Sequence, residues 1–304
     1  MGIILGGESC LLATEPILPI PRTIHYNRDK ARLGRRLFFD PRLSKDGSIA
    51  CVSCHHPKNG ADSIPGSVGI SGKKGTINTP TVFNSVFNFR QMWNGHARTL
   101  KEQVHMPVHN PKEMAMEHEH VTRRLRRIPY YREAFRRLYG HPPDFDTLSD
   151  AIAEFEKSLI TPGCTFDRYL RHEVSLSPEE LRGHKLFKRL GCVTCHNGIN
   201  IGGNSYQKMG LIHPYPWNPN NPDRYALTHR EEDKNVYKVP SLRNIALTAP
   251  YFHDGSAPTL RTAIKRMAHY NLGSELSEEE LDALVAFLKT LTGETPSTMK
   301  RRMP

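Results

Sequence analysis

Apolar residues along this chain recur mainly at helical spacing. Leu281, Leu284, Leu288 and Leu291 fall on one face of a 3.6-residue repeat and predict a helix with a single stripe to bury. Its start is marked by Ser277-Glu278-Glu279-Glu280, where a serine and a glutamate three positions on satisfy each other's backbone N–H. Ser177-Pro178-Glu179-Glu180 gives the same signal with proline at the first helical position, and predicts a second helix running toward Cys192. Strand-like alternation is scarce. Segments 60–80 and 198–222 are rich in Gly, Pro and Asn and read as long loops. Loops of that length are uncommon in a compact domain unless something else supplies apolar surface for them.

The pattern occurs twice. Gly34-Arg35-Arg36-Leu37-Phe38 has its counterpart in Gly183-His184-Lys185-Leu186-Phe187. Downstream, Ala151-Ile152-Ala153-Glu154-Phe155-Glu156-Lys157-Ser158-Leu159 aligns with Ala283-Leu284-Val285-Ala286-Phe287-Leu288-Lys289-Thr290-Leu291 at Ala, Phe, Lys and Leu. Within each half lies one five-residue motif, Cys51-Val52-Ser53-Cys54-His55 and Cys192-Val193-Thr194-Cys195-His196. A bare Cys-x-x-Cys also suits zinc or a redox dithiol. The trailing histidine in both copies points instead to c-type haem attachment, two thiols reaching one porphyrin and the imidazole binding iron beneath it. A macrocycle would provide the surface on which the loops pack. The expected fold is all-α: two cytochrome c-like domains, residues 15–165 and 166–304, each with one covalently bound haem and long loops, divided within 162–177.

Composition adds the setting. With 38% apolar residues in 304, no stretch approaches the roughly 20 needed for a membrane span, and a soluble protein is expected. The net charge of +11 and the run Arg123-Arg124-Leu125-Arg126-Arg127 would attract a polyanion, but no nucleic-acid motif accompanies them. A solvated basic helix that steers an acidic redox partner is the simpler reading. Covalent haem attachment follows export, which implies the periplasm. Segment 1–14 lacks a basic start and an apolar core. It reads as the remainder after a leader was removed, partly expression-derived, or as a segment packed on the second domain. Gly7-Glu8-Ser9 before Cys10 puts an acid where a lipid-anchor signal wants small residues. Cys10 and Cys164 are left after the four haem-linking cysteines, and their pairing, which needs Cα atoms within about 7 Å, stays open.

Further stretches give the chain a likeness. Leu37-Phe38-Phe39-Asp40-Pro41-Arg42-Leu43-Ser44, Asn78-Thr79-Pro80-Thr81-Val82-Phe83-Asn84, Trp93-Asn94-Gly95-His96-Ala97 and Thr248-Ala249-Pro250-Tyr251-Phe252-His253-Asp254-Gly255 resemble the bacterial di-haem cytochrome c peroxidases, a family that includes the MauG-like enzymes. The resemblance runs from about residue 15 to 293. It implies a peroxidatic haem on Cys51, Cys54 and His55, and an electron-transfer haem on Cys192, Cys195 and His196 with Met267 as its sixth ligand. Tyr270, close by, keeps the MauG-like arrangement in view, since those enzymes carry Tyr at the axial position. Over the first haem the family places Gln103 and Glu113. A base there takes a proton from peroxide and returns it to the leaving oxygen, and Gln103 orients the peroxide. Trp93 corresponds to a tryptophan between the haems. Calcium ligands map to the Asn78 side chain and the carbonyls of Thr248 and Pro250, hard oxygen donors that suit the ion. The family also implies a homodimer.

One departure has consequences. Many family members carry a histidine in the glycine-rich loop that blocks the first iron until the second haem is reduced. Here Ile70 or Ser71 stands at that place, so the inhibitory ligand is absent. His56, His96, His105, His109, His118 and His120 have no fixed ligand spacing and read as mostly solvated; His253 has no assigned role. The expected activity is reduction of hydrogen peroxide to water with electrons from a small periplasmic cytochrome c or cupredoxin, without reductive activation. The alternatives are a MauG-like oxidase of a protein substrate and a non-enzymatic di-haem carrier.

Overall fold

The computed structural model describes residues 15–300; Cys10 and the rest of segment 1–14, with residues 301–304, lie outside them. Asn27 caps helix Arg28–Phe38, its side-chain oxygen accepting from the N–H of Asp29 at 3.1 Å and of Lys30 at 3.0 Å. Both serine boxes form as predicted. Ser177 and Glu180 open Pro178–Arg189, and Ser277 and Glu280 open Glu278–Lys289.

Each half is built on one pair of packed helices: Arg28–Phe38 against Phe145–Lys157, and Pro178–Arg189 against Glu278–Lys289. The aligned glycines explain how closely they pack. A Cβ on Gly34 would lie 1.7 Å from the Ala151 carbonyl oxygen, and one on Gly183 would lie 1.9 Å from that of Ala283. The repeated Gly and Ala are thus the two sides of one backbone-to-backbone contact. Around it Phe38 meets Phe155 edge-on at 5.2 Å in the first half, and Phe166 meets Phe287 at 5.0 Å in the second. All four rings are buried, and burying such a side chain stabilises by about 1.5–3 kcal/mol. The first core runs from Ala31 to Leu159 and adds Met299; the second runs from Cys164 to Leu291 and adds Ile17. Each end of the described chain therefore packs on the opposite half.

Two findings modify the all-helical expectation and the charge reading. Loop 198–222 contributes Tyr206–Lys208 to a two-stranded antiparallel ladder with Val236–Lys238, Tyr206 opposite Lys238. Three-residue strands are too short for alternation to show. In the arginine run, Arg123, Arg126 and Arg127 are exposed, but Arg124 donates to the carbonyls of Arg42 and Ser44, both at 2.7 Å, and so ties its helix down. Cys164 is buried with its sulfur 3.4 Å from Arg243, whose guanidinium makes a buried ion pair with Asp167 at 2.6 Å. Its suggested partner Cys10 is outside the described residues.

Candidate active site

Cys51–Cys54 is a single helical turn, closed by Ser53 accepting the Ala50 N–H at 3.1 Å, and it delivers His55 at its end. The His55 Nδ1 lies 3.0 Å from the Gly60 carbonyl, which can only accept, so Nδ1 carries the proton and Nε2 is left bare. His196 repeats this against the Ile201 carbonyl at 3.4 Å. Burial lowers both imidazoles from their usual value, His196 to about 4, which keeps them neutral. A fixed tautomer with a free Nε2 is the form a metal-ligating histidine needs. The paired thiols are pushed up mainly by burial, Cys54 to about 12 with smaller contributions from Asp62 and Glu113. They are chemically quiet as free thiols.

Near this turn lie Gln103 and Glu113, each held by a residue that the sequence analysis did not single out. Asn110 Nδ2 donates to Glu113 Oε1 at 2.7 Å, and among the described residues no hydrogen bond reaches Oε2. Burial raises the Glu113 pKa above the ordinary carboxylate range, and the Asn110 hydrogen bond opposes part of that rise. Gln103 Nε2 donates to both carboxyl oxygens of Glu156, at 2.9 and 3.1 Å. Glu156 is buried, and its carboxyl is pushed up to about 8 by burial against the pull of that hydrogen bond. The repeat alignment held a signal for it: Glu156 occupies the place that Leu288 fills in the second half.

The loop carrying Ile70 and Ser71 is latched onto the same segment. It closes on itself through Gly75 N–H to Ser67 O and Gly69 N–H to Lys73 O, both at 2.8 Å, and Ile70 N–H donates to Glu113 O at 2.9 Å. A Cβ on Gly69 would stand 2.0 Å from the Lys112 carbonyl oxygen, so only glycine allows this approach. Ile70 is buried and Ser71 exposed. His56 is held by the Ser53 carbonyl at 3.1 Å, and His96 is exposed.

In the second half a cavity of about 480 Å³ is lined by Cys192, Cys195, His196, Phe187, Leu284 and Met267. That volume lies in the range of cofactor pockets, roughly 300–1,000 Å³. Lys238, also on its wall, is buried, and burial lowers its ammonium to about 8. No side-chain partner meets its Nζ among the described residues. An unpaired ammonium on a largely apolar wall calls for an anion, and the carboxylate of a porphyrin side chain fits. Thiols, bare Nε2, apolar wall and this cation together suit a c-type haem. Met267 ends helix Leu260–Met267 and faces the cavity residues, whereas the Tyr270 ring packs on Tyr215 at 4.9 Å.

Between the halves, Trp93 Nε1 donates to the Asn78 carbonyl at 2.8 Å, and its own carbonyl accepts the Lys238 N–H at 2.7 Å. His253 is buried beside it, stacked on Tyr237 at 4.1 Å. Asn78 Nδ2 donates to Pro250 O at 2.7 Å and Phe252 O at 3.1 Å, so two of the three expected calcium-ligand residues are in direct contact. Thr248 lines the same cavity. Of the remaining histidines His109 and His120 are exposed, as expected, and His105 and His118 are half-buried. His118 stacks on Phe145 at 3.7 Å and His105 packs edge-on to His118 at 4.8 Å, both with pKa lowered chiefly by burial. No group of three or more His, Cys, Asp or Glu side chains among the described residues is arranged to hold a metal.

Residues 28–175 match the di-haem cytochrome c peroxidase family and residues 181–292 the cytochrome c family. The chain is 47% identical to cytochrome c551 peroxidase of Nitrosomonas europaea over 299 residues, 97% of this chain and 90% of that one. It is 39% identical to cytochrome c551 peroxidase of Pseudomonas aeruginosa, over 91% of this chain and 84% of the relative. Among solved structures it resembles a MauG-like protein associated with microbial copper homeostasis, with 29% identity, a TM-score of 0.79 and 96% of each chain covered.

Proposed function

The chain belongs to the di-haem cytochrome c peroxidase family and is a peroxidase, and we propose that it reduces hydrogen peroxide to two waters in the periplasm, with a small cytochrome c or cupredoxin as donor and without prior reduction. Cys51, Cys54 and His55 would hold the first haem, and Cys192, Cys195, His196 and Met267 the second, on either side of a domain divide at 165. Bound haem iron supplies the site at which peroxide accepts two electrons. Proton handling falls to the chain. Glu113 takes the peroxide proton at Oε2, the oxygen that Asn110 leaves free, and returns it to the departing oxygen. Gln103 holds the peroxide in line for that transfer.

The observation that carries this reading is the pair Glu113 and Gln103, each fixed by a side-chain hydrogen bond near the first cysteine motif. A pure electron carrier has no use for such a pair. Met267, rather than Tyr270, lining the second cavity favours a peroxidase over an oxidase of protein substrates. Ile70, buried against the Glu113 backbone, supports a first site open at rest, because an aliphatic side chain cannot ligate iron. Trp93 packs where an electron crossing between the halves would pass. Calcium is proposed at Asn78, Thr248 and Pro250 with the Asn78 amide oxygen turned inward, a neutral set of hard donors. Among the described residues no helix is long and apolar enough to cross a membrane. The test is donor stoichiometry: a peroxidase oxidises two one-electron donors per peroxide, whereas a carrier consumes no peroxide, and an oxidase of a protein substrate turns over peroxide without the small donor.

A further inference from the structure

We propose that Glu156 is a positioning residue that turns the nitrogen end of the Gln103 amide away from the peroxide site and leaves its carbonyl Oε1 as the group that meets peroxide. The inference rests on the peroxidase reading for the role of Gln103. Its own basis is geometric. Both oxygens of Glu156 lie within hydrogen-bond distance of Gln103 Nε2, and Oε1 makes no hydrogen bond among the described residues. A carboxylate only accepts, so an ionised Glu156 with both oxygens facing Nε2 keeps the N–H end of the amide toward itself, whereas a neutral carboxyl also donates and no longer fixes that orientation. Hydrogen peroxide has two O–H donors, for which a fixed carbonyl is the matching acceptor.

The fold provides the control. Helix Phe145–Lys157 is the counterpart of Glu278–Lys289, and at the place of Glu156 the second half has Leu288, buried on the wall of its cavity. A core position that takes leucine in the electron-transfer half takes a carboxyl in the half that has Gln103. Burying that group costs stability unless it is hydrogen-bonded, and Gln103 donates to it in this structure. Cys51 lies near enough to feel its charge, after burial the largest influence on that thiol.

The test compares the haem-loaded wild type with Glu156→Gln, Glu156→Leu, Gln103→Ala and the Gln103→Ala double variants. Glu156→Gln keeps the volume but accepts and donates, so the amide is free to turn over; Glu156→Leu installs the residue of the other half and keeps the test open should the first variant fold poorly. Either is expected to raise the KM for hydrogen peroxide and lower kcat/KM about tenfold, the scale of one well-made hydrogen bond between neutral groups, with haem content unchanged. In the Gln103→Ala background the same change should have no further effect. Cyanide binding to the oxidised first haem, followed by the Soret band, gives a readout that needs no turnover. Its affinity should rise in Glu156→Gln, where an N–H can face the bound anion, and stay unchanged when Gln103 is absent. Wild-type kinetics in both Glu156 variants, or effects that simply multiply with Gln103→Ala, would overturn the proposal. A wild type that binds cyanide but never turns over peroxide would remove the peroxidase reading instead, and the cyanide series would still decide on Glu156.

Discussion

In the proposed mechanism Glu113 is the residue on which the chemistry turns, and its environment fixes the direction of the pH response. Burial raises its pKa, so the proton-accepting form is lost as pH falls through a value above the ordinary carboxylate range. Peroxide kcat/KM should therefore be full above that value and decline below it, earlier on the acid side than a solvated glutamate would dictate. Glu113→Gln should remove this limb and lower turnover about 10²–10⁴-fold while both haems remain. Wild-type turnover in that variant would exclude Glu113 from the mechanism. At the same scale, Met267→Ala should lower the potential of the second haem, since thioether ligation favours ferrous iron; an unchanged potential and spectrum would assign the sixth ligand elsewhere, Tyr270 first. The two Cys-x-x-Cys-His motifs were legible in the sequence because attachment chemistry fixes their spacing. Asn110 and Lys238 were not, because an asparagine three residues from Glu113 looks like any surface polar residue and Lys238 stands out only through its burial; Glu156 left one mark, its alignment with Leu288, while its partner Gln103 is remote in sequence.

Among the elements, the helix starts were read from sequence because capping is local: Ser177 with Glu180 and Ser277 with Glu280 need no tertiary partner. The reason for Gly34 and Gly183 emerges only from the helix pairs, where each meets an alanine carbonyl. Gly34→Ala should force the first pair apart and cost about 1–3 kcal/mol or more as overpacking, and Gly183→Ala should do the same in the second. Thermal unfolding followed at each haem's absorption would check this; a stability change below a few tenths of a kcal/mol in both would mean that the contact is softer than described. The loop at Gly69 and Ile70 was recognised as lacking a ligand, but its latch to Glu113 is made by backbone groups and leaves no mark in side-chain pattern. Ser71 has φ +54°, a region histidine tolerates better than most residues. Ser71→His should then restore a blocking ligand, seen as loss of the high-spin signal in electron paramagnetic resonance and a lag relieved by pre-reduction. A spectrum that stays high-spin would show that position 71 does not reach the iron.

At the scale of the molecule, the two halves are joined by short polar ties around Trp93: its carbonyl accepts the Lys238 N–H, and Asn78, whose carbonyl holds the Trp93 indole within the first half, donates to Pro250. A calcium ion at this seam would brace the same residues, so chelation should slow turnover and calcium should restore it; full activity in a metal-free preparation would argue against the ion. The two-part helical plan could be read from the internal repeat, whereas the crossing of Ile17 and Met299 to opposite cores could not, since single apolar residues near chain ends match either half. The most direct test of an open, proton-equipped first site is the earliest phase of turnover. Fully oxidised protein is mixed with hydrogen peroxide and a reduced small cytochrome c, and donor oxidation is followed from the first moments. The account predicts an immediate linear rate, two donors oxidised per peroxide, and no gain from pre-reducing the enzyme. Absence of turnover, or a lag that pre-reduction abolishes, would contradict it.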